Sequence, residues 1–283
     1  MVRVLPFETR TMYINLQFPF WRHTLLPLLW LGIVAGCGNP SNSQPSSSVL
    51  ILGAASTKDA LQEMADAAQA ASPSLLQIEI STGPSHALAQ QILSGAPADI
   101  YVSANRRWAD EVAKAGLAVE SIEWLGNALV VVVPTKSTVE VNRLEDLTTP
   151  KVTRIAIAGQ NVPAGIYAEE ALKYHKLWDE LSTGDKLIRG HDVRSTLAYA
   201  ERGEVDAAVV YSTDAMLTDK VRVVARFDPA SHEPIVYPLV RIKTPHENQA
   251  ADHFFQFLQS AEARQIAEKY GFVPLDATNG DAR

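Results

Sequence analysis

From Val49 onward, short β-branched runs alternate with stretches of helical period. The runs Val49–Gly53, Leu76–Ile80, Asp99–Ala104, Ala128–Val133, Arg154–Ala158, Ala207–Tyr211, Val221–Phe227 and Ile235–Ile242 read as strands, since Val, Ile and Tyr suit a pleated, buried surface. After the first run, Leu61, Met64, Ala65 and Ala68 recur at i, i+3, i+4 and i+7, which is one face of a helix. Between Asn248 and Tyr270, Ala251, Phe254, Phe255, Leu258 and Ala261 make another apolar stripe, read as core. This alternation predicts an α/β fold of mostly parallel sheets flanked by helices. No internal repeat interrupts it.

The chemistry gathers where strands hand over to helices. Ser56 with Asp59 has the Ser-x-x-Asp spacing of a capping box. Ser85 opens the stretch carrying Leu88 and Ile92, and Val162-Pro163-Ala164-Gly165 leads into another, with proline suited to a first turn. A fourth helix is expected at His191-Asp192-Val193, where Asp192 can cap. Each such start offers unpaired N–H donors at the positive end of a helix dipole, a natural seat for an anion. In open α/β sheets ligands sit beyond the carboxyl ends of strands, where all four junctions fall. A plain cap is the alternative for each serine.

The first 48 residues differ. Arg22 and His23 precede the apolar run Leu25–Val34, which ends in Ala35-Gly36 before Cys37, the sole cysteine. The run is shorter than the ~20 residues a spanning helix needs, and its layout is that of an export signal. Val34-Ala35-Gly36-Cys37 resembles the lipobox of bacterial lipoproteins, which implies lipidation of Cys37 after removal of residues 1–36. A soluble secreted protein cut nearby is the alternative. Residues 37–48, rich in Ser, Asn and Pro, fit a flexible tether. The segment before the basic pair is long, and translation from Met12 would shorten it.

At 283 residues, 47% hydrophobic and 20% charged, the chain has apolar mass for one large domain or two modest ones. Removing residues 1–36 takes away Arg3, Arg10, Arg22 and Glu8, moving the formal charge from −7 to −9. Basic and acidic residues are interspersed, so no nucleic-acid footprint is present, and any bound anion must be held by local dipoles.

Several segments in order resemble the periplasmic molybdate-binding proteins of ABC transporters. They are Ala54-Ala55-Ser56, Leu88-Ala89-Gln90-Gln91-Ile92 with Gly95-Ala96-Pro97-Ala98-Asp99, and Leu125-Gly126-Asn127. Further on come Val162-Pro163-Ala164-Gly165-Ile166-Tyr167-Ala168, Asp192-Val193-Arg194, Val210-Tyr211 with Asp214-Ala215, and Tyr270-Gly271-Phe272. The resemblance implies a two-lobed periplasmic-binding-protein fold of type II, with lobe 1 at 49–125 plus 236–283 and lobe 2 at 126–235. It implies an oxyanion, molybdate or tungstate, held by the hydroxyls of Ser56, Ser85 and Tyr211 and the amides of Ala164 and Val193. An ABC permease is the implied partner, with a monomeric, exported, lipid-anchored protein and no cofactor or metal cation.

One departure is Pro84-Ser85-His86, where the family often has a serine-rich run. His86 reads as a solvated first-turn residue, with a cleft-facing, pH-sensitive donor as the alternative. Two competing functions remain: a binding protein for sulfate or phosphate, and an exported serine hydrolase using Ser56 or Ser85. Neither serine lies in a Gly-x-Ser-x-Gly elbow, and there is no His-Glu-x-x-His or cysteine set for a metal.

Overall fold

The computed structural model describes residues 47–73 and 76–275. The export-signal, lipobox and tether expectations, with Cys37, lie outside them. The chain begins β1 (Ser47–Ala54), α1 (Lys58–Ala71), β2 (Leu76–Gly83), α2 (Ser85–Leu93), β3 (Ile100–Val102), α3 (Arg106–Lys114) and β4 (Ala118–Gly126). It then crosses to a second sheet with β5 (Leu129–Pro134), β6 (Ile155–Ala158), α4 (Pro163–Tyr174), α5 (Trp178–Thr183), β7 (Leu187–Gly190), α6 (Val193–Glu201), β8 (Ala207–Tyr211), α7 (Ser212–Ala215) and β9 (Val221–Arg226). It returns through β10 (Val236–Ile242), α8 (Gln249–Phe257), α9 (Ala261–Lys269) and β11 (Val273–Pro274).

The six-stranded sheet has the order β11-β4-β10-β3-β1-β2 and the five-stranded sheet β7-β6-β8-β5-β9. Both are mixed, which corrects the expectation of mostly parallel sheets. β1, β2 and β3 pair in parallel, as do β6, β7 and β8, because each is joined to the next by a helix. The strands beside the crossings, β4, β5, β9 and β10, pair antiparallel. β4 and β7 escape the hydrophobic pattern. β4 carries Glu120 and Glu123 and buries only Trp124, Leu125 and Gly126, while β7 is a four-residue edge strand.

Strand register sets the level at which the helices begin. β1 and β2 run in step to Ala54 opposite Gly83, so the chain leaves both strands at one level just before Ser56 and Ser85. β6 and β7 likewise end together at Ala158 opposite Gly190, which brings α4 and α6 out side by side. Gly165 is required there: a Cβ would overlap the Gly159 and Ala158 carbonyls, so only glycine lets the first turn of α4 sit this close to β6. Val130 to Val133 of β5 are fully buried and anchor the second sheet in the core.

Candidate oxyanion site

Ser56, Ser85, Ala164, Val193 and Tyr211 line a single small cavity. Ser56 and Ser85 come from the six-stranded sheet's side and the other three from the five-stranded sheet's side. All five are at most 3% exposed.

The local reasons differ from those expected for the serines. Ser56 lies in the 3-10 turn Ala55–Thr57 ahead of α1 and caps nothing; its Oγ is 2.8 Å from Tyr237 Oη, and Asp59 turns away to Arg194. Ser85 is the first residue of α2, behind Pro84, and its Oγ accepts the Ala104 backbone N–H at 3.0 Å. The capping-box reading fails because the 3-10 turn shifts the start of α1 two residues past Ser56. The other two starts are as read: Pro163 occupies the first turn of α4, and Asp192 accepts the Ser195 N–H at 2.7 Å as the cap of α6. First-turn amides such as Ala164 and Val193 have no intrahelical acceptor.

Ser85 accepts from Ala104, so its own hydrogen is uncommitted. The Tyr211 hydroxyl is completely buried and without a hydrogen-bond partner. Burial, reinforced by Tyr237, pushes the Tyr211 phenol well above its ordinary value, so it stays protonated and can donate. A buried orphan donor is rare enough to call for a partner. The set is one of hydroxyl and amide donors, suited to an ion that only accepts.

Four residues that sequence reasoning left without a role stand behind the cavity wall. Arg194, next to Val193, reaches across to Asp59 Oδ2 at 2.6 Å and to the Ser56 carbonyl at 3.3 Å. Its Nε lies 2.7 Å from Asp214 Oδ1, a fully buried carboxylate. Burial raises Asp214 to about 7 against the opposing pull of Arg194. Asn127 and Tyr237 form a second cluster behind Ser56. The only signal for Arg194, Asp214 and Asn127 was their place inside family-like segments; Tyr237 had none.

His86 is not the solvated residue expected. It is partly buried, its ring 6.0 Å from Trp108, and its Nδ1 is buried without a partner. Burial, then the charge of His191, holds its pKa below the ordinary value, and it is absent from the cavity wall. Neither serine hydroxyl pairs with a histidine among the described residues, so the Ser–His contact of a hydrolase is not assembled.

Residues 49–273 match the family described as bacterial extracellular solute-binding protein. The chain belongs to that family. It is 38% identical over 246 residues to the molybdate-binding protein ModA of Haemophilus influenzae, covering 85% of this chain and 94% of that one. It is 35% identical over 259 residues to ModA of Escherichia coli, covering 86% and 98%. The periplasmic molybdate-binding protein of Azotobacter vinelandii shares the fold, with a TM-score of 0.73 at 20% identity over 81% of this chain and all of that one. The cavity lies between helix starts that follow strands of the six-stranded sheet and helix starts that follow strands of the five-stranded sheet.

Proposed function

We propose that this chain is the extracytoplasmic molybdate receptor of an ABC transporter, that it also accepts tungstate, and that it hands the anion to the permease as a monomer. The lobes are 49–125 plus 236–283 and 126–235. The observation that carries the reading is the buried, partnerless Tyr211 hydroxyl in a cavity it shares with the hydroxyls of Ser56 and Ser85 and the helix starts at Ala164 and Val193. Identity with the two ModA proteins supports molybdate as the ion.

Selectivity follows from donor chemistry. Molybdate and tungstate are dianions that accept hydrogen bonds and offer none. A protonated phosphate would set its own O–H against a donor, leaving a buried group unsatisfied at about 1–3 kcal/mol. Sulfate matches in charge and shape but is smaller, so its rejection depends on cavity size. Charge-assisted bonds contribute about 1.5–3 kcal/mol each, so the five groups give on the order of 7–15 kcal/mol before ordering and desolvation are subtracted. Calorimetric titration of the mature domain should show submicromolar molybdate and tungstate binding and no phosphate binding. Micromolar or tighter binding of sulfate alone would overturn the assignment.

The lipid anchor belongs to the same proposal and rests on the lone Cys37 at the end of the apolar run. Cys37→Ala should release the protein from membranes on fractionation and leave anion affinity unchanged, because the tether lies outside the lobes. A variant that stays with the membrane fraction would refute the anchor.

A further inference from the structure

Asn127 stands where the chain crosses between sheets, after β4 ends at Gly126 and before β5 starts at Leu129. Its backbone N–H donates to the Ile235 carbonyl at 3.3 Å, on the returning crossing. Its side-chain amide has one orientation only. Oδ1 accepts the Ala128 backbone N–H at 2.8 Å, a group that can do nothing but donate, and the Ser212 hydroxyl at 3.1 Å. The NH2 end therefore faces Thr213 Oγ1 at 2.9 Å and Tyr237 Oη at 3.2 Å.

An amide nitrogen donates and never accepts, so Tyr237 Oη is the acceptor in that contact. Tyr237 is fully buried, and burial pushes its phenol above the ordinary value, so its proton is always present. Ser56 Oγ, 2.8 Å away, is the acceptor that proton meets among the hydrogen bonds of the described residues, the neighbouring Tyr211 hydroxyl making none. Were Ser56 the donor instead, the Tyr237 proton would be buried with no partner. With Ser56 accepting, its own hydrogen has nowhere to go but the cavity.

We infer that Asn127 is a positioning residue that sets the polarity of the chain Asn127→Tyr237→Ser56 and thereby commits the Ser56 proton to the bound anion. Asn127 touches no ligand itself. Its rigidly held amide makes Ser56 a dedicated donor, where a free serine could rotate to accept from a protonated competitor. The inference rests on the oxyanion reading of the cavity and explains how that site discriminates by protonation state.

A double-mutant cycle tests it, read as molybdate affinity by calorimetry at pH 8 on the mature protein. Asn127→Asp replaces the donor with an acceptor: the carboxylate accepts a hydrogen bond from the Tyr237 hydroxyl, Tyr237 Oη accepts from Ser56, and the Ser56 hydrogen leaves the cavity. In the wild-type background Ser56→Ala should weaken binding about 10- to 150-fold. In the Asn127→Asp background the same change should weaken it less than about 3-fold, the added charge cancelling within the cycle. Adding Tyr237→Phe to Asn127→Asp cuts the chain, frees the Ser56 proton and should restore a Ser56→Ala loss of about 10-fold or more. Equal Ser56→Ala losses in the wild-type and Asn127→Asp backgrounds overturn the polarity. No loss in the wild-type background overturns the oxyanion reading instead. Should the Asn127→Asp variants not fold, neutron diffraction from wild-type crystals with molybdate reads the proton lying between the two oxygens directly: bonded to Tyr237 Oη, it supports the inference; bonded to Ser56 Oγ, it overturns it.

Discussion

Ser85→Ala and Tyr211→Phe, like Ser56→Ala, should each weaken molybdate binding by about 10- to 150-fold, the loss of one charge-assisted bond to a buried dianion. Their effects on the ligand-free protein should differ. Tyr211→Phe deletes a hydroxyl that is buried and unpaired, so the variant should melt no lower than the parent. Ser85→Ala strands the Ala104 N–H, which accounts for about 1–3 kcal/mol of lost stability. Thermal melts and titrations on the same preparations separate the two quantities. Unaltered affinity in all three variants, with melting temperature alone reduced, would place the ligand elsewhere.

Arg194→Ala should be the most damaging single change to stability, and the damage should depend on pH. Asp214 is fully buried, and Arg194 is its ion-pair partner at 2.7 Å. Removing one member of a buried pair leaves the other charge uncompensated, at about 3–5 kcal/mol. The contact with Asp59 adds little, since that carboxylate is 40% exposed. The folded pKa of Asp214, about 7, lies above its ordinary value of 3.8. Its favourable contribution is therefore full below 3.8 and is lost as pH rises through 7. At pH 5 the carboxyl is protonated with or without Arg194, so the variant should lie close to the parent there and fall well below it at pH 8. Adding Asp214→Asn should recover most of the loss at pH 8. A penalty of equal size at both pH values, unrelieved by Asp214→Asn, would mean that Arg194 acts through Asp59 and Ser56 alone.

What could be read from the chain itself was local and periodic. Eight strands announce themselves as short β-branched apolar runs and the first helix through its 3.6-residue period, while the last stripe divides into α8 and α9 and leaves Ala261, read as core, exposed; Pro163 and Asp192 mark helix starts by backbone chemistry that needs no distant partner. Ser56, Ser85, Ala164, Val193 and Tyr211 could be named only because several segments in order resemble a known family; spacing alone does not reveal that residues 56 and 211 face one cavity. β4 was hidden because most of its residues are polar and exposed, leaving no alternation to see. The tertiary structure decided everything that depends on direction across the cleft: the parallel registers that bring paired helix starts to one level, the 3-10 turn that takes Ser56 from capping duty, and the burial that leaves Tyr211 without a partner. Arg194, Asp214, Asn127 and Tyr237 acquire roles only through partners distant in sequence, as far as 181 positions for Tyr237 and Ser56, because hydrogen bonds and ion pairs depend on distance in space, which the order of residues along the chain does not encode.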